Sequence, residues 1–277
     1  MKIPFKLVPA VATDARYENM AKALATGLPR LTPAPIHDTD AISIACYGPS
    51  LADTWQDLKR PILTVSGALH YLAERGIRPD YHVDCDPRPH KVRHITPAVD
   101  GVHYVMGTCC SQNTWEALEG QRVSLVHFYM APNTAEWVAK YDPGASIVHP
   151  GSTAGLAALH VAGMLGYRHF EIHGMDGSIR DGKRHAGPHY GHPQGGYTWQ
   201  AGHVKYATSK IMSNACAEVI NSFRMFPIFG VFHGKGLQQA LIDEEYGMDN
   251  VALAGTPKAE MVRRYKAVIL GPAVKAA

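Results

Sequence analysis

The chain has 277 residues, 46% of them hydrophobic and 18% charged, with a formal net charge of +3. Such a composition is ordinary for a folded globular protein with a sizeable core, and the charge, spread without a long Lys/Arg run, points to neither a nucleic-acid groove nor a membrane surface. No apolar run reaches the roughly 18 residues that a membrane span needs, and five cysteines with no CxxC pair fit reduced thiols in a cytoplasm better than a disulfide framework.

Residues 1–12 have a faint likeness to a signal peptide, but Pro4, Lys6 and Pro9 interrupt the apolar run. Residues 14–26 have helical spacing (Tyr17, Met20, Ala21, Leu24) and lead into a proline-rich connector from Leu28 to Pro35, so 1–40 reads as an N-terminal arm. Ala41 to Cys46 is a buried strand, and Tyr47-Gly48-Pro49-Ser50-Leu51 turns it into a short helix through Trp55 and Leu58. Pro61 to Val65 is the next strand, Ala68 to Arg75 a helix, and Tyr81 to Asp84 a strand running into Cys85-Asp86-Pro87-Arg88-Pro89. Strands follow near 102–106 and 123–128.

The most informative stretch is 150–177. A hydroxyl cap at Ser152 or Thr153 precedes Leu156, Leu159, Gly163 and Leu165 at helical spacing, and Gly166 stops the helix. Phe170 to His173 then reads as a buried strand, with the turn Gly174 to Gly177 at its carboxyl end. The free amides at the start of that helix form an anion site, and Asp176 sits where open α/β sheets hold ligands. A long polar loop runs from Gly177 to Trp199, a helix from Ala201 to Phe223, and a last strand from Pro227 to Phe232. Strands alternating with helices predict an α/β, Rossmann-like fold with a mostly parallel sheet and helices on both faces. The main domain spans 41–235, and 236–277 reads as a C-terminal helical tail.

Three stretches carry candidate chemistry. Gly48-Pro49-Ser50-Leu51 lets a phosphate or ribose approach the backbone, with Ser50 both capping the helix and offering a hydroxyl; it is neither a Walker A loop nor GxGxxG, and an ordinary turn reads equally well. Asp84 and Asp86, two apart at a strand end, can share a divalent cation. The loop region holds His173, Asp176, Asp181, His185, His189, His192 and His203, among sixteen histidines in all. Such residues act as general bases, bind zinc or are simply solvated. Zinc is disfavoured there, because no helical HExxH is present and glycine and proline between His185 and His192 provide no rigid ligand geometry.

Taken in order, Cys46 to Leu51, Ala68 to Pro87, and Gly151-Ser152-Thr153 through His173-Gly174-Met175-Asp176 resemble the archaeal 6-hydroxymethylpterin diphosphokinase-like family, related to the flagellin motility accessory factors, over roughly 41–235. The resemblance implies a nucleotide site in which Gly48, Pro49, Ser50 and Leu51, together with Gly151, Ser152, Thr153 and Gly174, surround phosphate and sugar. It further implies that Asp84, Asp86 and Asp176 lie near a metal or the phosphates. Small bacterial sialyltransferases are more distantly similar, and by that likeness His192, in His189-Tyr190-Gly191-His192, takes the acceptor proton. The expectation is a transferase that moves diphosphate from ATP, or another nucleotide donor, to a hydroxymethylpterin-like acceptor. Mg2+ spans the donor phosphates in that scheme, and His192, His189 or Asp176 does the proton chemistry. Glycosyl transfer from a nucleotide sugar is the alternative, and a non-catalytic nucleotide-binding module the third. The expected partners are the nucleotide and a small acceptor, without nucleic acid or membrane, and self-association stays open.

Overall fold

The computed structural model describes residues 11–188, 196–226 and 228–246. The first half of the chain alternates strands with short helices: β1 (His37–Ala45), α2 (Leu51–Thr54), β2 (Ile62–Val65), α3 (Ala68–Ala73), β3 (Tyr81–Asp84), β4 (His103–Gly107), α4 (Gln112–Ala117), β5 (Arg122–Phe128), α5 (Thr134–Tyr141) and β6 (Ile147–Val148), preceded by α1 (Thr13–Ala25). The second half contributes α6 (Ala154–Met164), β7 (Tyr167–His173), an antiparallel pair β8 (Tyr197–Ala201) and β9 (Val204–Thr208), α7 (Lys210–Met225), β10 (Phe229–His233) and α8 (Leu237–Tyr246). All eight strands of the main sheet run parallel in the order β10-β7-β1-β2-β3-β4-β5-β6. The predicted α/β, Rossmann-like architecture is therefore the observed one.

Side-chain alternation sorts the core into two layers, because successive residues of a strand point to opposite faces. Ile42 and Ile44 of β1, Val105 of β4, and Phe170 and Ile172 of β7 pack with Leu156, Leu159 and Val161 of α6 and Val219 of α7. On the other face Ala45 and Ile62 meet Leu51 of α2 and Leu72 of α3, while Tyr104, Met106, Val123 and Leu125 meet Ala23 of α1 and Trp115 of α4. Helices thus cover both faces, as a parallel sheet requires. Thr153 caps α6 as expected, its side chain accepting from the Leu156 amide. The N-terminal segment is tied to the sheet as well as to the helices, since the Leu31 amide donates to the Leu125 carbonyl and the Leu125 amide to the Pro29 carbonyl.

The largest departure from the sequence reading is at 197–208. The predicted helix from Ala201 begins only at Lys210, where Ser209 caps it by accepting from the Met212 amide. The preceding residues form the β8/β9 hairpin, with Gly202 and His203 as the two-residue loop and Gly202 at φ +55°. A glycine at the first position of such a loop matches the twist of the flanking strands. Trp199, Ala201, Tyr206 and Thr208 form its more buried side. Residue order Tyr-Thr-Trp-Gln-Ala, then Val-Lys-Tyr-Ala-Thr, alternates at period two, and this pattern outweighs the helical one. Strand β6 and the backward extension of β1 to His37 were likewise unforeseen.

Candidate functional site

The winding of the sheet decides where a site can lie. From β1 the chain moves stepwise to one side as far as β6, then crosses back to β7 on the other side of β1 and on to β10. The loops leaving β1 and β7 are therefore at the switch point, the place where open α/β sheets form a ligand crevice beyond their carboxyl ends. A cleft of about 220 Å³ lies there. Its walls come from Tyr47, Gly48 and Pro49 after β1, Ser66 after β2, Lys91 after β3, Thr153 to Gly155 at the start of α6, Gly174 to Ser178 after β7, and Arg184, His185, Met212 and Cys216. The volume lies below the usual range for whole small-molecule sites.

Asp176 holds the two central loops together. The Ser50 amide donates to Asp176 Oδ2 at 3.0 Å, and the Gly48 amide donates to the Gly174 carbonyl at 2.8 Å. Gly174 has φ +67°, and a Cβ at Gly48 would fall inside the contact distance of both Asp176 Oδ2 and the Gly174 carbonyl oxygen. The motif glycines thus serve close approach of two loops. Burial pushes the Asp176 carboxyl upward, and the Ser50 amide opposes that shift. The Ser50 hydroxyl does not cap α2, contrary to expectation. The carboxylate of Asp176, brought from the other side of the switch point, takes the helix-start amide instead. The Asp176 carbonyl in turn accepts from the Gln238 amide of α8 at 2.8 Å.

The predicted site residues divide. Gly48, Pro49, Thr153, Gly174 and Asp176 line the cleft together, whereas Ser50 and Leu51 are buried behind its wall. Gly151 and Ser152 lie outside the lining, and the Ser152 amide is engaged by Glu218 Oε2 of α7 at 2.7 Å. Asp86 and Asp176 do not follow neighbouring strands, because β2 and β1 separate β3 from β7. Three strand spacings put the carboxyl ends of β3 and β7 about 14 Å apart, so the loops carrying Asp86 and Asp176 are not adjacent. Asp84 is buried, its carboxyl pushed up to about 6 mainly by burial, and its Oδ1 accepts the Asp86 amide at 2.9 Å. Asp86 accepts from Arg88 Nε at 2.8 Å and faces Lys91 Nζ at 3.6 Å. These partners leave Asp84 and Asp86 a poor fit for Mg2+. His189 and His192 lie outside the described residues.

The residue that sequence reasoning missed is Lys91. A short 3-10 turn over Pro89–His94 carries it back toward the sheet, and it reaches the cleft while pairing with Asp86. The signal was the basic run Arg88, His90, Lys91, Arg93 directly after the two aspartates. Arg184 and His185 add to the same wall, His185 stacking on Tyr47 with ring centroids 5.3 Å apart. The Ala186 amide donates to the Tyr47 carbonyl, so the segment after β7 folds over the β1 loop. Burial raises the thiols of Cys46 and Cys216 to about 12. Both stay protonated at neutral pH, which leaves the cleft without a thiolate nucleophile from either.

A parallel sheet wound both ways from its central strand, with a cleft between glycine-bearing loops at the point of reversal, defines a Rossmann-like α/β protein. Within that class the chain belongs to the 6-hydroxymethylpterin diphosphokinase MptE-like family, which matches residues 15–182. The match begins within α1 and ends before the β8/β9 hairpin. No curated protein matches the sequence. Among solved structures, the MAf glycosyltransferase from Magnetospirillum magneticum AMB-1 is similar in fold, with a TM-score of 0.60 at 16% identity. The alignment covers 95% of this chain and 43% of that one, so the chain spans less than half of that protein's length. The family and the solved structure both bear the names of transferases.

Proposed function

We propose that this chain is a transferase that holds the phosphates and sugar of a nucleotide donor in the switch-point cleft and moves diphosphate from ATP to a hydroxymethylpterin-like acceptor. One observation carries the reading: the glycine-lined loop after β1, the amino end of α6 and the Lys91 ammonium converge on one cleft. Helix-start amides and a cation together suit an oxyanion of phosphate, and they stabilise charge that shifts onto the leaving oxygen during transfer. Lys91, rather than a cation held between aspartates, supplies the positive charge in this reading. The carboxylates of Asp176, Asp84 and Asp86 already accept from the Ser50 amide, the Asp86 amide and Arg88 respectively. The acceptor hydroxyl gives its proton to His192 or His189, and the free cysteines suit work in a reducing cytoplasm.

Glycosyl transfer from a nucleotide sugar is the second reading, favoured by the fold shared with the MAf glycosyltransferase. The same phosphate cradle serves both. A thermal-shift screen with ATP, CTP, CMP and UDP-sugars separates them, because a ligand that binds only the folded state raises its apparent stability by mass action. Stabilisation by ATP, followed by AMP release when a hydroxymethylpterin is added, supports diphosphate transfer. Stabilisation by a nucleotide sugar alone supports the second reading, and no shift with any nucleotide overturns both.

A further inference from the structure

Outside the cleft, one cluster of side chains has no role in the chemistry above. Glu171 and His173 alternate onto the same face of β7, and His233 stands directly beside His173 on the parallel neighbour β10. Their ligand atoms all lie within 4.8 Å of one another, the one such group of three among the described residues. Glu171 and His173 are buried, while His233 is 27% exposed on the edge strand. His233 Nε2 and Glu171 Oε2 are 2.7 Å apart. The His173 ring lies parallel to that of His233 with centroids 4.1 Å apart, yet neither of its nitrogens has a hydrogen-bond partner of normal geometry. The Thr54 backbone is the polar group that acts on it from α2. A buried imidazole without such a partner is costly, and here it stacks against a pair that already offers a carboxylate and a second imidazole.

We propose that Glu171, His173 and His233 form a binding site for a first-row divalent cation, zinc foremost, separate from the nucleotide cleft. Two imidazoles and one carboxylate are a donor set that zinc takes with a fourth position left open. The open side here is the solvent-facing edge at His233. Binding requires the two rings to turn out of parallel, since an imidazole lone pair lies in the plane of its ring, and it replaces the hydrogen bond between His233 and Glu171 with two metal bonds. Lys59 Nζ stands 3.8 Å from Glu171 Oε1 at the exposed rim and competes for the carboxylate.

Titration of the full chain with Co2+, followed by visible absorption, tests the site. The expected result is one equivalent bound with the intense bands of a low-coordinate nitrogen and oxygen site, displaced by Zn2+. His233→Ala, on the exposed edge, weakens binding at least about tenfold; Glu171→Gln weakens it while keeping a hydrogen bond to His233; and Lys59→Ala tightens it. Circular dichroism confirms that each variant is folded, and His233→Ala together with Glu171→Gln provides a reading if one of them is not. A triple variant of the histidine-rich segment, His185→Ala with His189→Ala and His192→Ala, retains the bands. Absence of stoichiometric binding, or bands that survive His233→Ala and vanish in the triple variant, overturns the proposal.

Discussion

Gly48→Ala tests how the cleft is built. Gly48 has an ordinary backbone conformation, so the cost of a side chain there is steric. An added Cβ meets Asp176 Oδ2 and the Gly174 carbonyl oxygen well inside van der Waals contact, and stands 3.1 Å from the Gly174 carbonyl carbon. Relief takes a movement of about 1 Å, judged against normal carbon contacts of 3.5–4.0 Å. Neither obstacle moves alone. Asp176 is tied to the Ser50 amide, and Gly174 is held at φ +67° with no room for a Cβ of its own beside the Cys46 carbonyl. Overpacking costs about 1–3 kcal/mol, and loss of the Gly48–Gly174 and Ser50–Asp176 hydrogen bonds adds about 1 kcal/mol each. The expected total is about 3–5 kcal/mol, a large fraction of a typical domain's stability. Urea unfolding at constant m measures it. Gly27→Ala is the control, because Gly27 has φ +68° but open space around it, and its cost is the backbone's own, about 1–2 kcal/mol. A Gly48→Ala unfolding free energy within about 1 kcal/mol of wild type, or a larger loss at Gly27, refutes the reasoning.

Three further outcomes are expected. Lys91→Ala loses a charge-assisted contact to donor phosphate worth about 1.5–3 kcal/mol, so calorimetry should show the nucleotide Kd rising about 10- to 150-fold with little change in unfolding; an unchanged Kd removes Lys91 from the site. Stability should fall as pH drops below the ordinary histidine pKa. Burial holds His82 down to about 3 and His103 down to about 4. The unfolded chain therefore takes up protons that the folded one refuses, and stability is lost from about pH 6.5 downward at up to about 1.4 kcal/mol per pH unit per group. Asp84, raised to about 6, works in the opposite sense between about pH 4 and 6. His82→Gln should flatten the acid limb of a stability-against-pH series, and an unchanged slope refutes the assignment. Lastly, His192→Ala and His189→Ala should separate the proton acceptor from the bystander: the former lowers turnover by about 10²–10⁴ without changing nucleotide affinity, and full turnover in both variants ends the histidine-base reading.

The sequence by itself determined the alternation of strands and helices, a hydroxyl cap at Ser152 or Thr153, the turn that carries Asp176 and the glycine loop after β1. These are local matters, set by side-chain periodicity and by the few residues that tolerate a cap or a tight turn. Local pattern also misled at 201–208, where residues compatible with a helix alternate equally well as a hairpin and pack beneath α8 through Ala201, Cys216 and Leu237. Strand order was decided only in three dimensions. It placed β2 and β1 between Asp86 and Asp176, and so separated two carboxylates that adjacent motifs had suggested as partners. It also gave Asp176 its partner in the Ser50 amide, 126 positions away in the chain, and set His233 beside Glu171 and His173 through the register of β10 on β7. The physical reason is one of range: a residue's face is fixed by its immediate neighbours, whereas its partner across the sheet is fixed by which strands pair, and that depends on burial of the whole core.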